Sequence, residues 1–379
     1  MLQSFYEELR KLIADKLMWV VCIIMPICVN LLVGWEFSCG VIDRVPVAIV
    51  DNDHSQLSRQ IIGYFKNNDA FSVDYEVATQ DELRELLDTS KVRVGMVIPE
   101  NFSYDVTELK SPSILMLYDG SHMSMISTAK AKASEILLTA RVGASLKQME
   151  VRHNKTEDEA MTMAMPISFV YRNLYNPTKS FNNFMTPGYG TIVCQLGIAF
   201  VAALSVCFPR EDKRFKSAAA YLAGKILFYG TLGSMTIMTN ILVQVYVFKI
   251  TCKGNVLLGI ALGVLFMFSV ASLCIMISAW SHNRVLAQAL CGLLLIPNSI
   301  FSGYTWPVMC MLPFYKGMSK LIPFSHFGDN LRYLYFKGSI PNLAGDIRFF
   351  VLFTLAMFLL GIGGIYFNKL GKEKEPDMR

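Results

Sequence analysis

Six uncharged apolar windows, each roughly 18–25 residues long, limit what this chain can fold into. That length spans a hydrocarbon core of ~30 Å as a helix. Inside a bilayer a polypeptide must satisfy its backbone polar groups internally, which leaves helices or closed barrels. The windows are continuous rather than alternating, so they read as helices. They fall at about Leu17–Trp35, Thr186–Phe208, Ile226–Phe248, Val256–Trp280, Val285–Ser302 and Phe349–Asn368. With 53% hydrophobic residues in 379, a water-soluble core is a poor alternative. The expected fold class is an α-helical polytopic membrane protein of six transmembrane helices with an inserted extracytoplasmic α/β domain.

The first window is read as a retained span, not a cleaved signal. Residues 1–16 form a polar amphipathic helix with Phe5, Leu9, Leu12 and Ile13 on one face, lying at the cytoplasmic membrane surface. No small-residue cleavage site follows. The first span occupies 17–37. Trp19 and Trp35 bracket it at ~24 Å, and Pro26 is expected to kink it.

Residues 41–185 are expected to form the inserted domain. Val45–Val50 reads as a buried strand, Asp51-Asn52-Asp53 as a turn, and His54–Asn67 as a helix facing inward through Leu57, Ile61, Ile62 and Phe65. Phe71–Val77, Val92–Ile98 and Ile114–Leu117 read as further strands, and Ile167–Tyr171 as a final one. Gln80–Leu87 and Ser121 to about Arg152 read as helices. Alternating strands and helices imply a small mixed sheet. Residues 186–368 carry spans two to six, with a Pro-broken re-entrant stretch at 303–345, and 369–379 form a tail.

Charge sets the orientation. Residues 41–185 hold 15 basic and 19 acidic residues, and the remainder hold 20 and 11. The basic excess therefore flanks spans and gives no sign of nucleic-acid binding. Arg10, Lys11, Lys16, Arg210, Lys213, Arg214, Lys216, Arg284, Lys369, Lys372 and Lys374 fall on one side, which places both termini in the cytoplasm and 41–185 outside. None of the nine cysteines lies between 41 and 193. Cys39, Cys252 and Cys310 fall near one membrane face, leaving a disulfide among them open.

Several chemistries find no support. A phosphate loop needs an earlier glycine and a following Ser or Thr, and Gly224-Lys225-Ile226 has neither. The histidines His54, His122, His153, His282 and His326 are scattered, without metal-ligand spacing. No G-x-S-x-G elbow occurs, so no catalytic residues are expected. No Asp or Glu lies deep in a window, which disfavours an ion-coupled carrier. The intramembrane polar groups are the amides Asn30, Gln195, Asn240, Gln244, Gln288 and Asn298. They serve either as interhelical hydrogen-bond partners or, for the last five, as a translocation path. The loop Pro209–Lys216 has six charged residues, and reads either as a topology anchor or as a docking surface. A membrane-anchored ligand- or partner-binding protein without transport activity is the alternative function.

The arrangement resembles the permease subunit of a type-2 ABC transporter, in the subgroup with a large extracytoplasmic domain after the first span. The resemblance runs through LRKLIADKLMWVVCIIMPICVNLLVG (9–34), VPVAIVDNDHSQLSRQII (45–62), VRVGMVIPENFSYDV (92–106) and LMLYDGSHMSMIS (115–127). It ends in Ser302-Gly303, Pro307, Pro313, Pro323 and Arg332. It implies an exporter in the cell inner membrane. Two permease chains, as a homo- or heterodimer, each dock a cytoplasmic ATPase that holds ATP and Mg; an adaptor and an outer-membrane channel often stand beside them. This chain itself would bind no cofactor. The resemblance further implies ATPase coupling through Arg10, Lys11 and Asp15 and through Arg210, Glu211, Asp212, Lys213 and Arg214. The loop keeps the family's Arg-Glu start but lacks its Gly-Thr and is shorter.

Overall fold

In the computed structural model, residues 1–38, 40–153, 156, 161, 174–207, 217–281 and 283–373 are described. The chain forms two compact units, Val41–Arg172, and Met1–Gly40 with Asn173–Arg379.

The smaller unit is an α/β structure. Its strands β1 (Val45–Asp51), β2 (Phe71–Val77), β3 (Val94–Ile98) and β4 (Leu115–Tyr118) form one sheet in the order β2-β1-β3-β4. β1 runs parallel to β2 and β3, and β4 is antiparallel to β3. Both faces of β1 are buried, which explains its unbroken apolar run. Val45, Val47 and Ile49 pack with Ile61, Ile62 and Phe65, while Ala48 and Val50 pack with Leu83 on the opposite side. The turn after β1 is fixed by Asp51. Its Oδ1 accepts from the backbone of Asp53 and His54, and its Oδ2 accepts from Ser58 Oγ at 2.7 Å. Ser55 caps the following helix, Gln56–Lys66. Three more helices follow, Gln80–Asp88, Phe102–Thr107 and Met123–His153. The expected strand at 167–171 lies outside the described residues.

The larger unit is helical, and among the described residues six helices are long and apolar enough to cross a membrane. They run Lys16–Glu36, Phe181–Ala202, Ala218–Val247, Val256–Trp280, Arg284–Phe301 and Leu343–Asn368, hereafter spans 1 to 6. Three begin well before the hydropathy windows. Span 2 starts at Phe181 rather than Thr186, after a cap by Ser180. It therefore takes residues that the sequence had placed in the inserted domain. Span 3 starts at Ala218 rather than Ile226, and span 6 at Leu343 rather than Phe349. Averaged hydropathy misses polar first turns, whereas helix bonding includes them.

Pro26 has no N–H to give Cys22, and the helix absorbs the loss as a π-turn at Val20–Ile24 rather than as a break. Gly197 of span 2 sits against this place. A Cβ there would lie 2.8 Å from Val21 O and 2.9 Å from Pro26 Cγ. Spans 4 and 6 are joined by Ser269 Oγ with Thr354 Oγ1 (3.1 Å), Trp280 Nε1 to Leu360 O (2.9 Å) and Asn368 Nδ2 to Ala279 O (2.9 Å). The stretch between spans 5 and 6 is built of short helices, Pro313–Ser319 and Pro323–Phe336. Arg332 stacks on Tyr304 and donates to its carbonyl at 2.6 Å. Cys252 and Cys310 are free thiols.

Gly197→Leu is expected to destabilise the bundle by about 1–3 kcal/mol through overpacking. Gly292→Ala, whose new methyl would come no nearer than 3.5 Å to Phe200, is expected to be neutral. Thermal unfolding of both variants in lipid nanodiscs checks the contrast.

Candidate functional site

The amphipathic helix Leu2–Ala14, α1, packs on the helical unit through Leu12, Phe5 and Leu9 and also turns polar residues inward. Its buried residues are Ser4, Glu8 and Leu12, while Phe5 and Leu9 are half-buried and Ile13 is exposed. Leu12 joins the core of the helical unit and Phe5 and Leu9 pack against it, so most of the apolar face expected from the sequence is used. Glu8 enters the helical unit and meets Lys225 of span 3. Lys225 Nζ donates to Glu8 Oε1 at 2.6 Å and to Ser205 O at 2.5 Å. Tyr229 OH donates to Glu8 Oε2 at 2.6 Å, and Lys11 reaches Oε1 from the exposed side at 2.8 Å. Lys225 is 2% exposed and Glu8 also 2%. Gly224 permits the approach, since a side chain there would collide with Met1 O and the Ser4 Cβ. The Gly224-Lys225 pair, useless as a phosphate loop, is thus the seat of α1.

Burial alone would raise the Glu8 carboxyl. Lys225 and Lys11 outweigh that and hold it below its ordinary 4.5. Burial would likewise lower the Lys11 ammonium, and Glu8 outweighs it and raises it.

The cluster gathers three segments. Glu8 comes from α1 and Lys225 from the start of span 3. Ser205 belongs to the turn after span 2, which leads toward residues 208–216. That turn is itself pinned, with Val206 N donating to Ser278 Oγ at 3.0 Å. Arg10 and Lys11 are exposed on α1. Asp15 is exposed and caps span 1, accepting from Leu17 N at 2.9 Å. Arg210, Glu211, Asp212, Lys213 and Arg214 lie outside the described residues, as do Cys39, His282 and the side chain of His153.

The intramembrane amides form a second group. Gln244 Nε2 donates to Asn240 Oδ1 (2.9 Å) and Thr186 O (3.3 Å), and its Oε1 accepts from Tyr335 OH at 2.8 Å. Asn30 Nδ2 donates to Pro26 O at 2.8 Å and to Cys194 Sγ at 3.4 Å. The two sets meet at Gly190, where a side chain would collide with Asn30, Asn240 and Gln244 together. Gln195 Nε2 donates to Leu295 O (3.2 Å), and Gln288 Nε2 donates to Phe200 O (3.3 Å), both joining spans 2 and 5. Asn298 is buried at the end of span 5. The structure brings Asn240 and Gln244 together with Asn30, and leaves Gln195 and Gln288 as separate braces.

Sequence reasoning missed Glu8, Lys225, Tyr229 and Tyr335. A signal was present: Tyr221, Lys225 and Tyr229 recur every four residues on one face of span 3, but the hydropathy window began after Lys225.

A profile of the ABC-2 family transporter proteins matches residues 16–362. The chain belongs to this ABC-2 family. Among its relatives, the "Probable multidrug ABC transporter permease YbhS" of Escherichia coli strain K12 is 22% identical over 367 residues, 93% of each chain. The similarly titled YbhR of the same strain is 21% identical over 341 residues, 87% of this chain and 88% of its own. The "Inner membrane transport permease YhhJ", also of strain K12, is 22% identical over 375 residues, 96% of this chain and 93% of its own. This ABC-2 permease is accordingly a multi-pass membrane transport subunit. Its ATPase is a separate chain, and permeases of the family often form dimers.

Removing one member of the buried pair is expected to cost about 3–5 kcal/mol, because the other charge is left uncompensated. Glu8→Gln or Lys225→Met should each release α1 to protease, and the double variant should recover most of the loss. The depressed Glu8 carboxyl stabilises docking above its unfolded pKa, and that contribution is lost as pH falls through the lower folded value. Limited proteolysis of α1 should therefore be flat from about pH 8 to pH 6 and rise only below about pH 4.

Proposed function

We propose that this permease is the membrane-spanning part of an ATP-driven exporter, and that the Glu8–Lys225 joint passes the movement of the ATPase into the bundle. The observation that carries the reading is that α1, the turn leading toward residues 208–216, and span 3 meet at one buried ion pair, Glu8 with Lys225. The family resemblance puts ATPase contact on α1 and on residues 209–220, toward which the turn leads. A push on either one moves a charge pair that cannot separate cheaply in an apolar setting, so span 3 follows.

In this reading Arg10, Lys11 and Asp15 on α1 and Arg210, Glu211, Asp212, Lys213 and Arg214 on the loop face the ATPase. That partner holds ATP and Mg, while this chain holds no cofactor. The protein resides in the cell inner membrane with both termini cytoplasmic. The α/β unit is extracytoplasmic, within the 41–185 insertion that marks the subgroup, and a periplasmic adaptor meets it there. A second permease chain completes the transporter. The names of the relatives point to drug-like cargo. Gln195, Asn240, Gln244, Gln288 and Asn298 act on the translocation path indirectly, by bracing the helices that open it, since the bonds made by the first four run between helices or along one.

The purified permease is expected to form a complex with the ATPase encoded beside it. Charge reversal at Arg210, Lys213 and Arg214 should weaken that complex at least tenfold, the scale of a lost charged contact set, while expression stays normal. Unchanged binding would reduce the loop to a topology anchor. Single cysteines placed at Gln60 and Lys130 should react with an impermeant thiol reagent only from outside the cytoplasm. Reaction from the cytoplasmic side alone would reverse the topology.

A further inference from the structure

The α/β unit contains a cavity of about 640 Å³. Leu57 and Ile61 line it from helix Gln56–Lys66, Phe102 and Val106 from helix Phe102–Thr107, and Leu137 from helix Met123–His153. Leu57, Val106 and Leu137 pack on the edge of the sheet's core but are only half-buried. Among the described residues a concave apolar wall is thus uncovered, at a size within the ~300–1,000 Å³ range of small-molecule sites. Covering such a wall is favourable in proportion to the apolar area removed from water.

The polar side chains on the lining are Ser111, Arg141 and Ser145, and no acidic residue is among them. Arg141 is exposed, and none of the ion pairs within the unit's described residues uses it. At this side of the cavity Leu109, with φ of 61°, is the left-handed cap that ends helix Phe102–Thr107, its N–H donating to Val106 O and that of Lys110 to Asp105 O. A guanidinium offers a planar fork that matches a carboxylate.

We infer that this cavity binds an amphiphile with an apolar body and a single carboxylate head, the body against Leu57, Phe102 and Leu137 and the head on Arg141. The inference goes beyond the transport reading and does not rest on it, because the site lies wholly in the α/β unit and its occupancy needs no ATPase.

The test uses the full chain in lipid nanodiscs and a diazirine-bearing dodecanoic acid, with the matching diazirine alcohol as the uncharged control. After photolysis, mass spectrometry maps the label. The acid is expected to mark peptides containing 102–114 and 133–145, and the alcohol to mark them about tenfold less, the scale of one lost charged hydrogen bond. Arg141→Glu should lower labelling by the acid to the level of the alcohol, and Arg141→Lys should retain part of it. Leu137→Trp, which intrudes on the apolar wall, should lower labelling by both probes. Arg141 is exposed, so its variants leave the core untouched and keep the test valid even if the tryptophan variant fails to fold. Label confined to the membrane spans would overturn the inference. So would label in the two peptides that Arg141→Glu leaves unchanged, or equal labelling by acid and alcohol.

Discussion

A lysine ammonium set among apolar helices is unstable unless a counter-charge is brought to it, and in this permease the counter-charge arrives from outside the bundle. Lys225 is held by Glu8 of a helix that would otherwise float on the membrane surface. The pair is no simple source of stability, since desolvating two charges takes back much of what their attraction gives. Its value is positional. Glu8 can satisfy Lys225, Tyr229 and Lys11 together only when α1 is seated in one rotation and at one depth. Gly224 makes that depth reachable by offering no side chain. The register of α1, the start of span 3 and the turn after span 2 therefore form one mechanical element.

The amides deeper in the bundle follow a related logic at lower energy. Each is neutral, and each of Asn30, Gln195, Gln244 and Gln288 donates to a partner on its own or a neighbouring helix. In hydrocarbon a polar group without a partner is costly, so such groups select one packing among many that would bury the same apolar area. Gly190 lets Asn30, Asn240 and Gln244 crowd around a single point between spans 1, 2 and 3. The surrounding core, rich in Gly, Ser, Thr and Ala, fits close helix approach in a medium that supplies no hydrophobic drive between helices.

The α/β unit obeys the rules of a water-soluble domain. Its central strand is apolar on both faces because helices cover both, and its strand-to-helix turn is closed by short acidic and hydroxyl side chains. The same chain thus contains two solvents' worth of design. Charge density, absence of cysteine and alternation mark one part, and uncharged length marks the other.

From its residues alone the chain declared six spans, a mixed sheet near Val45–Tyr118, and the family it resembles. These depend on local periodicity and on the free energy of moving one segment between water and hydrocarbon, which each segment carries by itself. What it did not declare was the rotation of α1 or the partner of Lys225. An ion pair joining residues 217 positions apart has no local signature. Hydropathy averages even point the wrong way there, by trimming Lys225 off its helix. Only tertiary packing brings a carboxylate and an ammonium to one place, because the energy of that contact belongs to the pair and to neither residue alone.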